Sequence, residues 1–166
     1  MKLSNPSLHI WTTESPTILR VAYHIKEFHL KILGVDYGER RIGIAIADSI
    51  LGIAFPKQSI NSSSPIANSH AILAIAEAEK IFEIVIGLPI SLDGKIHQQG
   101  KIVEDFCDLL RQQTTRRIHT MDESYSSAEA KAFLISSGMS PSKNRDQLNA
   151  AAAAVILQRW LDTESS

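Results

Sequence analysis

ILGVDYGERRIGIAIAD, residues 32 to 48, is the stretch that decides the fold. Its first half is an apolar run closing on Gly34-Val35-Asp36-Tyr37-Gly38, and its second half, Ile42 to Ala47, is made of small and β-branched residues. Two such runs around a short charged turn read as paired strands. Asp36 falls where the first strand ends. A carboxylate delivered there by a buried strand needs a partner: a cation, a metal or a set of donors.

Working outward, Leu51 to Ile60 reads as a third strand, hairpin-linked through Ser49-Ile50. Pro56 inside it points to an edge position or a bulge. Ser62-Ser63-Ser64-Pro65 starts a helix over Ile66 to Lys80, with Ile66, Leu73 and Ala76 to Ala78 as its stripe. Ile81 to Ile86, apolar apart from Glu83 and closed by Gly87-Leu88-Pro89, reads as a buried parallel strand. Lys101 to Gln113 is a helix with Ile102, Val103, Phe106, Leu109 and Leu110 on one side. Arg117 to Met121 is the next strand, ending at Asp122-Glu123. Ser126-Ser127-Ala128-Glu129 matches a capping box, and Gly138 closes the helix it opens, whose inner face would use Ala130, Phe133 and Leu134. The last helix runs from about Arg145 to Leu161, and its Ala150 to Ala154 run permits close approach to a sheet.

The order β-β-β-α-β-α-β-α-α implies an α/β fold: a five-stranded mixed sheet with helices on both faces, strands 1, 4 and 5 parallel and strand 2 antiparallel. In such sheets functional groups gather at the carboxyl ends of the parallel strands. Those ends carry Asp36, the Gly87-Leu88-Pro89 loop, and Asp122 with Glu123.

The 166 residues suit one domain with a sizeable core. Residues 1–29 lack a sustained period and read as a weakly ordered or peripheral extension in which Trp11 and Tyr23 pack little, so the domain spans 30–166. A formal net charge of -1 gives no global attraction for nucleic acid. Local basic groups remain, namely Arg40-Arg41, Arg116-Arg117 and Lys143 with Arg145, although such pairs also serve as ordinary solvated surface. Cys107 is the only cysteine, which excludes an intrachain disulfide and a thiolate metal cluster, suits a reducing cytoplasm, and at helical spacing with Phe106 and Leu110 reads as core. No apolar run reaches membrane length, and the first residues lack a secretory-signal pattern.

Two acidic strand ends brought to one sheet edge can hold divalent cations through hard oxygen ligands and so serve phosphodiester chemistry. A G-x-D-x-G strand end also occurs in actin-like and sugar-kinase ATPases, but those use two such domains and this chain has room for one. The motifs GVDYGERRIGIAIAD (34–48), IVIGLPISLDG (84–94), MDESYSSAEA (121–130) and LNAAAAAVILQRWLD (148–162), in that order, resemble those of the YqgF (RuvX-like) family over about Lys31 to Asp162. The resemblance implies an RNase H-like fold. Members are described as Holliday junction resolvase homologues and as nucleases maturing the 5′ end of pre-16S rRNA.

Carried over residue by residue, the resemblance implies that Asp36 and Glu123, beside Asp122, are catalytic and hold Mg²⁺ or Mn²⁺. The family's third carboxylate, about nine residues before the glutamine of its final helix, falls on Asn149, a neutral oxygen donor. Asp146, three residues earlier on the same helical face, either supplies the missing group or meets the helix dipole as an ordinary first-turn acid. Ser124 and Tyr125 stand where relatives usually have Arg and Leu, and the loop Pro141 to Arg145 is often more basic in relatives. Arg40, Arg41, Lys143 and Arg145 are the candidate nucleic-acid contacts. Asp48 and Asp93 read as turn residues, Tyr37 either faces nucleic acid or covers the sheet end, and the six histidines show no ligand spacing. The expectation is a metal-dependent endonuclease, a phosphodiester hydrolase acting on pre-rRNA in ribosomal precursor particles. The alternatives are a resolvase-like DNA nuclease, or a nucleic-acid or ribosome-binding factor of the same fold with weakened catalysis.

Overall fold

Strand β1 (Lys31–Tyr37) is buried along nearly its whole length on both faces, the signature of a central strand. It pairs antiparallel with β2 (Arg41–Asp48), placing Asp36 opposite Gly43. The computed structural model describes residues 30–90, 96–123, 130–132, 135 and 144–164, so the expectations for Trp11, Tyr23, Asp93, Ser124, Tyr125, Lys143 and the capping box at 126–129 lie outside the described residues. Beyond β2 come β3 (Ile53–Asn61), α1 (Pro65–Ala78), β4 (Ile81–Leu88), α2 (Gln98–Gln113), β5 (Arg117–Asp122) and α3 (Arg145–Glu164).

The sheet has five strands in the order β3-β2-β1-β4-β5. β1, β4 and β5 run parallel, and β2 and β3 complete an antiparallel meander, as expected. β3 is one of the two edge strands, and the register of β2 against it slips between Ile44 and Ala45, opposite Gln58 and Pro56. A proline lacking a ladder donor is accommodated by that edge and that slip. β3 starts later than expected, at Ile53. The Asp48 carboxylate accepts from the Ile50 amide at 2.8 Å and the Leu51 amide at 3.4 Å, and Gly52 takes a positive φ of 62°, so the turn occupies 49–52. Asp48 is thus the turn residue anticipated.

Strand alternation gives the sheet two unlike faces. Leu33, Val35 and Tyr37 of β1 join Ile42, Ile44, Ile84, Ile86 and Leu88 in a core under α1 and α2, with Phe106 and the buried Cys107. On the other face lie Ile32, Ala45, Ala47 and Val85, covered by Ala153, Ile156, Leu157 and Leu161 of α3. The sheet residues under α3 include Gly34, where a Cβ would stand 2.7 Å from Leu157 Cβ and 2.8 Å from the Ala153 carbonyl. Small residues on both partners let α3 sit directly on the strands. Burial also pushes the Cys107 thiol up to about 11, consistent with an inert core residue.

The stripes expected for α1 and α2 need correction. Ile66 is 58% exposed and Ile102 42% exposed, whereas Asn68 and Ser69 are buried in α1. Polar partners turn α1. The Asn68 amide donates to Tyr37 Oη at 3.0 Å and Ser62 Oγ at 3.1 Å, while its Oδ1 accepts from the Ser63 amide at 2.8 Å. Tyr37 stacks on Phe106, with ring centroids 4.0 Å apart, so it anchors the end of β1 to both helices of that face and is buried there. Asn68→Ala is therefore expected to cost about 1–3 kcal/mol by stranding these partners. Chemical denaturation checks this, and an unchanged midpoint would show that the network contributes nothing.

Candidate active site

The carboxyl end of β1 delivers Asp36 to the α3 face of the sheet, the face on which Ile32 and Gly34 lie under that helix. Glu123 follows β5 immediately. Its amide donates to the Leu88 carbonyl at 3.2 Å, which fixes its backbone to the end of β4. Its carboxylate folds over Gly87, with Oε2 2.6 Å from where a Cβ of that residue would stand. The charge of Asp36, far away in sequence, thus reaches Glu123.

Burial pushes the Asp36 carboxyl up to about 6. Burial, then the charges of Asp36 and Asp122, push Glu123 up to about 7. Two half-buried carboxyls whose charged forms are disfavoured form an all-oxygen donor pair whose ionised form a divalent cation would stabilise. Among the described residues no group of three His, Cys, Asp or Glu side chains is placed to hold an ion. The half-buried all-oxygen pair of Asp36 and Glu123 is of the kind taken by a cation that keeps several waters and binds one or two carboxylates, the usual habit of Mg²⁺.

Helix α3 forms the third wall. The Asn149 carbonyl lies against Gly43, so close that a Cβ there would overlap it, and Gly43 is the residue opposite Asp36. Asn149 is thus on the turn of α3 beside the Asp36 position. Asp146 is engaged elsewhere: its Oδ1 accepts from the Arg41 guanidinium and from Ser59 Oγ, the latter at 3.1 Å. The carboxylates acting on Glu123 are those of Asp36 and Asp122.

Among the basic candidates, Arg41 opens β2 and is ion-paired to Asp146, while Arg40 is exposed in the preceding turn, its carbonyl accepting from the Ser62 amide at 3.0 Å. Arg145 is exposed at the start of α3, and Asp122 is exposed at the end of β5. Arg116 and Arg117 prove to be structural. They stand at the amino end of β5, away from the acidic edge, where Arg116 Nε donates to the Ile81 carbonyl at 3.0 Å and pairs with Glu77, and Arg117 pairs with Glu83 at 3.5 Å.

Gly43 was missed as a site residue by sequence reasoning. Its signal was present, because a glycine inside an apolar strand often marks close approach by another backbone. Gln158, the glutamine of the final helix, is a clamp: its Oε1 accepts from the Ala54 amide and its Nε2 donates to the Gly52 carbonyl, both at 2.9 Å. It ties the β2-β3 hairpin to α3.

Residues 30–163 match the model of a family described as RuvX: Holliday junction resolvase. A relative from Chloroflexus aurantiacus, described as "Putative pre-16S rRNA nuclease", is 34% identical over 135 residues, covering 81% of this chain and 88% of that one. One of the same description from Maridesulfovibrio salexigens is 36% identical over 132 residues, covering 80% of this chain and 98% of that one. The structure of Thermus thermophilus RuvC in complex with a Holliday junction substrate superposes with a TM-score of 0.56 at 11% identity, covering 82% of this chain and 96% of that one. That likeness establishes the RNase H-like fold.

Proposed function

The chain belongs to the RuvX family, and from that premise we propose that it is a divalent-metal-dependent endonuclease that trims the 5′ end of pre-16S rRNA on ribosomal precursor particles in the cytoplasm. The observation that carries this reading is the convergence of Asp36 and Glu123 on the α3 face, where burial raises both carboxyls, to about 6 and about 7, and Glu123 also feels the charge of Asp36. The choice of RNA over a DNA junction follows the description of the relatives at 34% and 36% identity.

In this reading Asp36 and Glu123 hold Mg²⁺ or Mn²⁺, Asn149 offers a neutral oxygen from α3, and Asp122 adds negative charge at the edge. The bound ion supplies Lewis-acid activation of a water and stabilisation of the leaving oxygen. Arg40, Arg41, Lys143 and Arg145 neutralise the phosphate backbone and set the register of the substrate. Asp146 acts through Arg41, accepting from its guanidinium while Ser59 Oγ donates to the same carboxylate oxygen.

The test is cleavage of a pre-16S rRNA 5′ fragment in Mn²⁺, with a four-way DNA junction as competitor. Loss of cleavage in EDTA and its return with Mn²⁺ are expected, and preferential cutting of the junction would overturn the RNA assignment. Asp146→Asn is expected to raise KM by about threefold, as loss of an exposed ion pair would, with kcat retained. A kcat loss as deep as that of Asp36→Asn would make Asp146 a ligand instead.

Asn149 favours a second reading, a binding factor whose site lacks the charge to retain a catalytic ion. Mn²⁺ calorimetry separates the two. Uptake that disappears in Glu123→Gln supports the enzyme, and absence of uptake by the wild type supports the binding factor.

A further inference from the structure

We propose that Gly87 is a positioning residue whose missing side chain is the seat of the Glu123 carboxylate, so that β4 rather than β5 aims this acid at Asp36. The inference rests on the nuclease reading for its consequence but on geometry for its substance. Glu123 lies just beyond the last residue of β5, where the final bond of the β4-β5 ladder reaches its amide but no strand pairing directs its side chain. Two contacts with β4 hold it. The Leu88 carbonyl accepts the Glu123 amide at 3.2 Å, fixing the backbone. The space above Gly87 takes the side chain, Oε2 lying 2.6 Å and Cβ 3.3 Å from the position a Cβ would occupy.

The seat has one further wall. Ile156 Cδ1 of α3 also comes within 2.6 Å of that position, so the carboxylate is held between β4 and the helix. The two nearest groups are ends of side chains rather than backbone, and Glu123 Cβ at 3.3 Å must give by only a few tenths of an ångström. A methyl group at residue 87 is therefore accommodated by moving one or both side-chain ends, and the sheet survives. This separates Gly87 from Gly43, where the obstacle is the backbone of α3.

Gly87→Ala tests the proposal, read by a crystal structure and by titration with Mn²⁺ alone. The expected result is a folded protein in which Glu123 swings off β4 and Mn²⁺ affinity falls about 10–100-fold, the range for disturbing a group that orients a ligand. Combining Gly87→Ala with Glu123→Asp, which draws the carboxylate back from the methyl, is expected to shrink the cost of the alanine to about threefold or less. Combining it with Ile156→Val is expected to restore little. Glu123 remaining in place while Ile156 moves, or full restoration by Ile156→Val, would overturn the seat. A wild type that takes up no Mn²⁺ sinks the nuclease reading, and the crystal position of Glu123 in Gly87→Ala still decides the seat.

Discussion

Asp36→Asn is expected to lower Mn²⁺-dependent cleavage by a thousandfold or more while making the metal-free protein more stable at pH 8. The substitution keeps the shape of the side chain and removes its charge. On the catalytic side it removes one of the two carboxylates proposed to hold the ion. A thousandfold corresponds to about 4 kcal/mol of barrier. The stability side follows from the carboxyl being pushed up from 3.8 to about 6 by burial. Between those values the unfolded chain has lost its proton and the folded protein keeps it. Stability is therefore full below about pH 4, falls as pH rises, and has lost on the order of 3 kcal/mol above the folded value. Glu123, pushed from 4.5 to about 7, extends the decline toward neutrality. Asparagine has no proton to lose, so the variant keeps the stability that the wild type gives up. Urea denaturation of EDTA-treated protein at pH 4.5 and pH 8 reads the effect, and equal pH dependence in the two proteins would show that Asp36 does not sit in a desolvated site. Saturating Mn²⁺ is expected to recover the lost stability in the wild type but not in Asp36→Asn.

Gly43→Ala is expected to be the most damaging single-methyl change in the described structure. A Cβ there overlaps the Asn149 carbonyl, and neither β2, paired on both sides, nor the helix backbone yields easily. Overpacking against backbone costs about 2–4 kcal/mol, or a fall in Tm of about 10 °C for a domain of this size. The shift also carries Asn149 away from the Asp36 position, so the surviving folded fraction should cleave poorly. Gly52→Ala is the control. Gly52 has a positive φ of 62° but no atom within 4 Å of the added methyl, so only about 1 kcal/mol of backbone strain is expected. A Gly43→Ala protein as stable as Gly52→Ala would mean that α3 does not rest on β2 at this point.

The sequence by itself determined the order of the elements, the sheet with its three parallel strands, and the placing of Asp36 and Glu123 at the ends of β1 and β5. These features are written in periodicity, in turn residues and in ordered local motifs, all of which act over a few residues of chain. Pro56 and Asp48 were legible for the same reason, since a missing amide and a turn-forming carboxylate are local properties.

Only the tertiary structure decided which polar groups find each other. Periodicity alone put Ile66 on the buried side of α1, but Asn68 turns that helix by bonding Tyr37, 31 residues away. From its place in the first turn of α3, Asp146 was equally readable as ligand or dipole partner, and the fold gives it Arg41, 105 residues away. Gly43 and Gly87 look alike as strand glycines, yet a helix backbone lies over the first and the Glu123 carboxylate with the tip of Ile156 over the second. The residues that fill those spaces come from distant parts of the chain, and only folding brings them there.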